Sequence, residues 1–228
     1  MAVLCNIPMG FPSALSFGKY HSDHHNYLGE AGRDPDLPMR LESQSSLFVP
    51  FKFFFWSVLS LFYAFRPLFC YNRGIGLDEI LNYLFIAFTD LLVYKYWGTG
   101  ALLYLLLVAF LSIGPHPAAI HVLAEHFEFV EGLETYDYFG VWNILNLNLG
   151  YHIEHHDFPT CPWYNLPKLR AAAPEFYVNL PNHTSYTKVL VKFLFDNNFN
   201  LFNRTIRVNK ADWLHLHLFL ILIKNFLY

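Results

Sequence analysis

The feature that most constrains this chain is a three-histidine array that occurs twice with the same spacing. One copy is His152, His155 and His156, within Gly150-Tyr151-His152-Ile153-Glu154-His155-His156-Asp157-Phe158-Pro159; the other is His21, His24 and His25. On a helix, positions i, i+3 and i+4 share one face, so the three rings of an array can point at one centre. Neutral imidazole is the commonest nitrogen ligand for zinc, iron and copper. A single array fits a chance cluster or a pH-sensitive patch. Two identical arrays, which take up half of the 12 histidines, are a metal-binding signal.

Between the arrays the chain is apolar. It is 54% hydrophobic, 19% aromatic and only 14% charged, against about 25% charged in soluble domains. Two apolar segments, 80–97 and roughly 98–115, meet at a Gly98-Thr99-Gly100 turn, and each approaches the length needed to cross a bilayer. A shared metal centre places both arrays on one side of the membrane, so an even number of crossings separates His25 from His152. The hairpin of about 80–115 supplies two. The aromatic stretch 47–70, with Lys52 and Arg66 near its ends, is therefore assigned to the interface, where rings and snorkelling cations are at home. Asp90 and Lys95 are costly in lipid and are expected to face protein, water or the interface.

Residues 1–18 read as the tail of a membrane helix that delivers His21 to the interface, and 29–46 as a loop. Beyond Pro115 the chain is polar enough for an aqueous face, and 171–196 reads as an α-helical cap. The expected fold is all-α: integral membrane helices carrying a histidine-rich di-iron helical cap. It comprises one domain over 1–203, followed by an atypical apolar tail over 204–228. The net charge of −3 and the lack of a basic tract argue against nucleic acid as a partner. Cys5, Cys70 and Cys161 are scattered and make neither a disulfide framework nor a zinc ribbon, which fits a reducing compartment. The start lacks the basic region of a cleavable signal peptide.

Six imidazoles exceed what one tetrahedral zinc requires and suit a pair of redox-active iron ions that bind and reduce O₂. His126, in Ala-Glu-His-Phe-Glu-Phe between the arrays, is a further ligand candidate, with His121 behind it. His116, between Pro115 and Pro117, reads as structural; His183, His215 and His217 receive no role. Asp23, Glu154 and Asp157 are the candidate acceptors that orient imidazole N–H groups. A histidine-rich metal transporter would need ligands inside the membrane segments, whereas these arrays flank the hairpin.

With these residues the chain resembles the membrane fatty-acid desaturase and hydroxylase superfamily, which uses H-x-x-H-H boxes. More narrowly it is similar to the sphingolipid Δ4-desaturase, or dihydroceramide desaturase, family. The matching residues run from Ile7-Pro8-Met9-Gly10 through Tyr20 to His25, Asp34, Asp36, Pro38, Phe62-Tyr63-Ala64-Phe65-Arg66-Pro67-Leu68-Phe69, His116-Pro117, His121 and Ala124-Glu125-His126. They continue with Glu134-Thr135-Tyr136, Gly150 to Pro159, Leu166-Pro167 and Leu180-Pro181, covering about 1–196. The resemblance implies a multi-pass enzyme of the endoplasmic-reticulum membrane with its boxes facing the cytosol. It would use two Fe ions and O₂, with electrons from NADH through cytochrome b5 and its reductase, to convert dihydroceramide to ceramide. His21, His24 and His25 correspond to the family's second box, His152, His155 and His156 to the third, and His126 to an additional histidine between them. The nearest alternative is C4-hydroxylation to phytoceramide, and no residue here separates the two outcomes.

Two departures qualify the resemblance. The family's earlier H-x-x-x-H box has no match in this chain, and residue 1 falls inside the family's second membrane hairpin. A fragment, a short isoform or a mispredicted gene model is expected, and with it an inactive truncated membrane protein, since one iron would lack ligands. The run Trp213 to Tyr228 replaces the family's short polar tail, as membrane-associated or translated non-coding sequence.

Overall fold

The computed structural model describes residues 2–58, 74–112 and 117–207. They are mostly helical. The one departure from an all-α fold is a two-residue parallel ladder, Asp137–Tyr138 (β1) beside Asn182–His183 (β2). The outer part of the expected interfacial segment, including Arg66, lies outside the described residues. So do the hairpin's end at 113–115, His116, and the tail over 208–228.

The N-terminal stretch is a broken lead-in rather than one helix. Helix α1 (Ala2–Cys5) passes into a 3-10 turn (Ile7–Met9) that ends at Gly10, whose φ of 59° favours glycine. Helix α2 (Ala14–Asn26) follows and carries the first histidine array. After the loop come α3 (Arg40–Ser45) and α4 (Val49–Ser57).

Helix α5 (Leu77–Ser112) is interrupted once, at Gly98, where φ 78° and ψ 179° describe a backbone that only glycine adopts readily. A Cβ placed on Gly10 would lie 3.3 Å from both Asp90 Oδ1 and Leu105 Cβ. In a straight helix, positions 90 and 105 would stand about 22 Å apart. The halves of α5 therefore fold back on each other at Gly98. Asp90 lies against the N-terminal stretch and so faces protein. Leu81, Leu84, Phe88, Leu91, Trp97 and Leu103 are each more than half exposed. Among the described residues α5 alone is long and apolar enough to cross a bilayer.

Polar contacts seat α2 on the hairpin. Buried Asn6 donates to Asn82 Oδ1 (2.9 Å) and accepts from the Ala14 N–H (2.9 Å). Lys19 pairs with Asp78 (2.8 Å) and Glu79 (2.9 Å). The amides of Asn6 and Asn82 and the Glu79 carboxylate are buried, and these contacts satisfy groups that would be costly to leave unpaired away from water.

The cap is built from α6 (His121–Ala124), α7 (His152–Asp157), α8 (Leu166–Ala172), α9 (Pro174–Tyr177) and α10 (Tyr186–Phe195). Its core joins Phe55 of α4, Leu123 and Phe127 to Tyr186, Val189 and Phe193 of α10, with Phe199 and Leu201 beyond. The helical cap expected over 171–196 is made of separate short helices, because Pro174 and Pro181 lack the N–H that would carry one helix through.

Two expectations are corrected. Lys52 does not snorkel to an interface. It is 1% exposed, and its Nζ donates to the carbonyls of Asp196 (2.9 Å) and Phe199 (2.7 Å), placing a cation at the C-terminus of α10. The body of the cap also runs past 203. Arg207 exchanges main-chain hydrogen bonds with Gly29 (2.6 Å) and Ala31 (2.9 Å), and Arg204 pairs with Asp36 (2.9 Å).

Candidate metal centre

The two arrays meet, and each is divided between two clusters. His21 and His25 of α2 converge with His155 of α7: the three Nε2 atoms lie 3.0 Å (His21–His155), 3.1 Å (His25–His21) and 3.0 Å (His25–His155) apart. His24, from the same turn of α2, points elsewhere. Its Nε2 is 3.0 Å from His126 Nε2, which in turn is 2.8 Å from His152 Nε2. His156 joins this second group: its ligand atom lies within 4.8 Å of those of His24 and His126. The sequence suggested that each array addresses one centre. Consecutive helical residues differ by about 100° in direction, so adjacent His24 and His25, like His155 and His156, address different ones.

Hydrogen bonds among the rings do not account for the first cluster. Each Nε2 offers either one proton or one lone pair, so three mutually close nitrogens cannot all be satisfied by one another. A cation in their midst satisfies all three. The centre of such a triangle is about 1.7 Å from each nitrogen, close to the ~2.0–2.1 Å of an imidazole–metal bond, so these three residues would hold a metal ion with little adjustment. In the second group the buried Nε2 of His156 has no hydrogen-bond partner among the described residues. The donor set therefore fits two metal ions: His21, His25 and His155 on one side and His24, His126 and His156 on the other, with His152 against His126.

The electrostatics prepare these rings as ligands. Burial is the largest influence and, with the neighbouring imidazoles, lowers His21 to about 4 and His25 to about 3. The same desolvation lowers His126, His152, His155 and His156, so at neutral pH their lone pairs are free for a metal. His24 is the exception. Burial opposes its charge, but the hydrogen bond to Asp34 and the charges of Asp36 and Asp34 outweigh that and raise it.

Asp34 is the orienting carboxylate that sequence reasoning missed. Its Oδ1 lies 2.8 Å from His24 Nδ1, and its Oδ2 accepts the Gly29 N–H (2.8 Å). That leaves Nε2 of His24 as the ligand atom, the usual arrangement behind a metal-bound imidazole. His126 is held likewise, its Nδ1 donating to the Glu134 carbonyl (3.3 Å). Two of the carboxylates expected to do this work are engaged elsewhere. Glu154 is fully buried and accepts from Arg170 (2.7 Å), and Asp157 accepts from the Tyr177 hydroxyl (3.0 Å). Arg170 also reaches Asp137 (2.8 Å), whose other oxygen accepts the Ile153 N–H (3.0 Å) in the first turn of α7. Gly150 enters α7 where no side chain fits, because a Cβ there would lie 2.1 Å from the Tyr138 carbonyl.

His121 is not part of either cluster. Its Nδ1 donates to Glu125 Oε1 (2.9 Å), and that oxygen faces His152 Nδ1 at 3.7 Å, too far for a hydrogen bond. Beside the clusters lies a cavity of about 450 Å³, walled by Phe17, Tyr20, Leu147, Leu149, Trp163 and Leu166 and reaching His21, His24, His126, His152 and His155.

A largely helical chain with a bilayer-length apolar helix and two facing multi-histidine clusters defines a class: a membrane protein with two adjacent histidine clusters able to hold metal. The family model described as fatty acid desaturase matches residues 1–188, and the chain belongs to that family. It is 45% identical over 209 residues to the human sphingolipid delta(4)-desaturase/C4-monooxygenase DES2, covering 91% of this chain and 64% of the relative. To the human sphingolipid delta(4)-desaturase DES1 it is 42% identical over 211 residues, covering 92% and 65%. The bovine sphingolipid delta(4)-desaturase/C4-monooxygenase DES2 is 44% identical over 92% of this chain and 65% of its own length. The chain thus spans a little under two thirds of the curated relatives it matches. No solved structure matches it.

Proposed function

We propose that the chain is the histidine-bearing part of a sphingolipid desaturase that acts at carbon 4, taking dihydroceramide to ceramide in the endoplasmic-reticulum membrane. The observation that carries this reading is the sharing of two arrays between two adjacent nitrogen clusters. A single tetrahedral zinc needs four ligands at most, whereas two imidazole-rich sites side by side suit two iron ions. His21, His25 and His155 would hold one iron; His24, His126, His152 and His156 the other. Bound iron supplies the oxidising power to take hydrogen from an unactivated C–H bond, using O₂ and electrons from NADH through cytochrome b5 and its reductase.

The chain's own residues position and shield. Asp34 and the Glu134 carbonyl fix the rings of His24 and His126. The apolar cavity wall beside the clusters excludes water and suits an alkyl chain. The halves of α5 would cross the bilayer as a hairpin and hold both arrays on the cytosolic side; 77–97 alone is 21 residues, about 31 Å of helix.

Hydroxylation at carbon 4 is a second outcome of the same site, favoured by the double activity in the names of human and bovine DES2. One experiment addresses both. Residues 14–203 would replace the matching stretch of human DES2, and the chimera would be expressed in a host lacking its own sphingolipid desaturase and hydroxylase. Mass spectrometry of the lipids is expected to show ceramide, with phytoceramide if the second outcome operates. A chimera that enters the membrane, holds two irons and yields neither product would contradict the reading.

A further inference from the structure

The cavity beside the clusters contains a polar pair that the metal site does not use. His121 and Glu125 both line it, alongside Phe17, Leu147 and Trp163. Their side chains are 29% and 15% exposed, so both are partly buried and still reachable from the cavity. Other polar groups on the wall are committed: Asp36 pairs with Arg204 (2.9 Å), and Asn146 bonds Tyr186. His121 Nδ1 is spent on Glu125, which orients the ring and leaves Nε2, for which no hydrogen bond is seen among the described residues. Through Glu125, 3.7 Å from His152 Nδ1, the pair abuts the second cluster.

The substrate chemistry gives such a pair a purpose. This step rests on the sphingolipid reading above. In a sphingoid chain, carbon 4 is bonded directly to the carbon that bears the 3-hydroxyl, and the amide nitrogen is on the carbon after that. A site that reacts at carbon 4 cannot leave the polar end of its substrate outside. The hydroxyl must enter the apolar cavity with the reacting carbon, where an unpaired hydroxyl is costly.

We propose that His121, oriented by Glu125, is the substrate-positioning residue that hydrogen-bonds the substrate's 3-hydroxyl through Nε2. Its place in the sequence, five residues before a ligand, reflects substrate recognition rather than metal ligation.

The test is competition binding on the full 228-residue chain in detergent, with a fluorescent short-chain dihydroceramide as probe. Unlabelled dihydroceramide and its 3-deoxy counterpart serve as competitors. The wild-type chain is expected to bind the 3-deoxy lipid about tenfold more weakly, the cost of one unpaired buried hydrogen-bonding group. In His121→Phe that gap closes to less than about twofold, whereas His121→Gln, which keeps a hydrogen-bonding group, retains most of it. Metal content per chain stays unchanged in both variants, showing that the clusters are intact. Equal binding of the two lipids by wild type, a gap that survives in His121→Phe, or metal lost from that variant would each overturn the assignment while leaving the sphingolipid reading in place. A wild-type chain that does not bind the dihydroceramide probe would overturn both.

Discussion

Removing Arg170 should unfasten the helix that carries three of the seven clustered histidines, with a signature in its pH dependence. Nη1 of Arg170 bridges Asp137 (2.8 Å) and Glu154 (2.7 Å), and Nη2 donates to the Tyr177 carbonyl (2.8 Å). Asp137 is 1% exposed and Glu154 0%, so Arg170→Leu leaves two carboxylates facing each other out of water. Breaking a buried ion pair by deleting one partner costs about 3–5 kcal/mol. For a chain of this size that corresponds to a melting point lower by about 6–20 °C.

The pH sign follows from Asp137. Burial first, and then the charge of Glu154, push it up to about 7 against the opposing pull of the Ile153 N–H and Arg170. A carboxyl raised above its unfolded value of about 3.9 contributes stability that is fully present below that value and is lost as pH rises through about 7. Without Arg170 the ionised pair is worse still, so the deficit of Arg170→Leu is small near about pH 5.5 and largest near about pH 8. Adding Glu154→Gln removes one of the two charges and should recover at least about half of the loss. The assay is thermal melting in detergent followed by circular dichroism. A variant melting within about 2 °C of wild type near pH 8, or one hurt more by acid than by base, would refute the reasoning.

Two further outcomes rest on single contacts. Asp34→Asn weakens the hold on His24 Nδ1, and cobalt(II) titration should show the affinity of one site falling about 10–100-fold while the other is unaffected. Lys52→Met strips the cation from the Asp196 and Phe199 carbonyls, and melting should report a loss of about 1–3 kcal/mol with metal content unchanged.

What was legible in the sequence follows the range of the interactions concerned. The spacing of His21, His24 and His25, and of its twin array, announced a metal site because it is local and periodic. Gly98 announced the hairpin because no other residue adopts that backbone easily. The division of each array into two clusters is also implicit in the helical repeat, but it emerges only once a partner helix fixes where each ring ends. The orienting groups were not legible because they arrive from elsewhere in the chain. Asp34 returns to His24 through a loop turned at Gly29 and Gly32, both at positive φ. Arg170 reaches Glu154 from the next helix, and Lys52 finds carbonyls more than 140 residues away. Glu154 and Asp157, chosen for being adjacent to ligands, face away from them for the same reason that neighbours on a helix diverge.

The central claim is that each array is shared between two metal sites, and metal content per chain tests it most directly. After loading under anaerobic conditions, the purified chain is predicted to hold two ions, by elemental analysis. His25→Ala should remove the ion held with His21 and His155, and His126→Ala the ion held with His24, His152 and His156, so each variant retains one. A wild-type chain that holds a single ion, lost equally in either variant, would contradict the account.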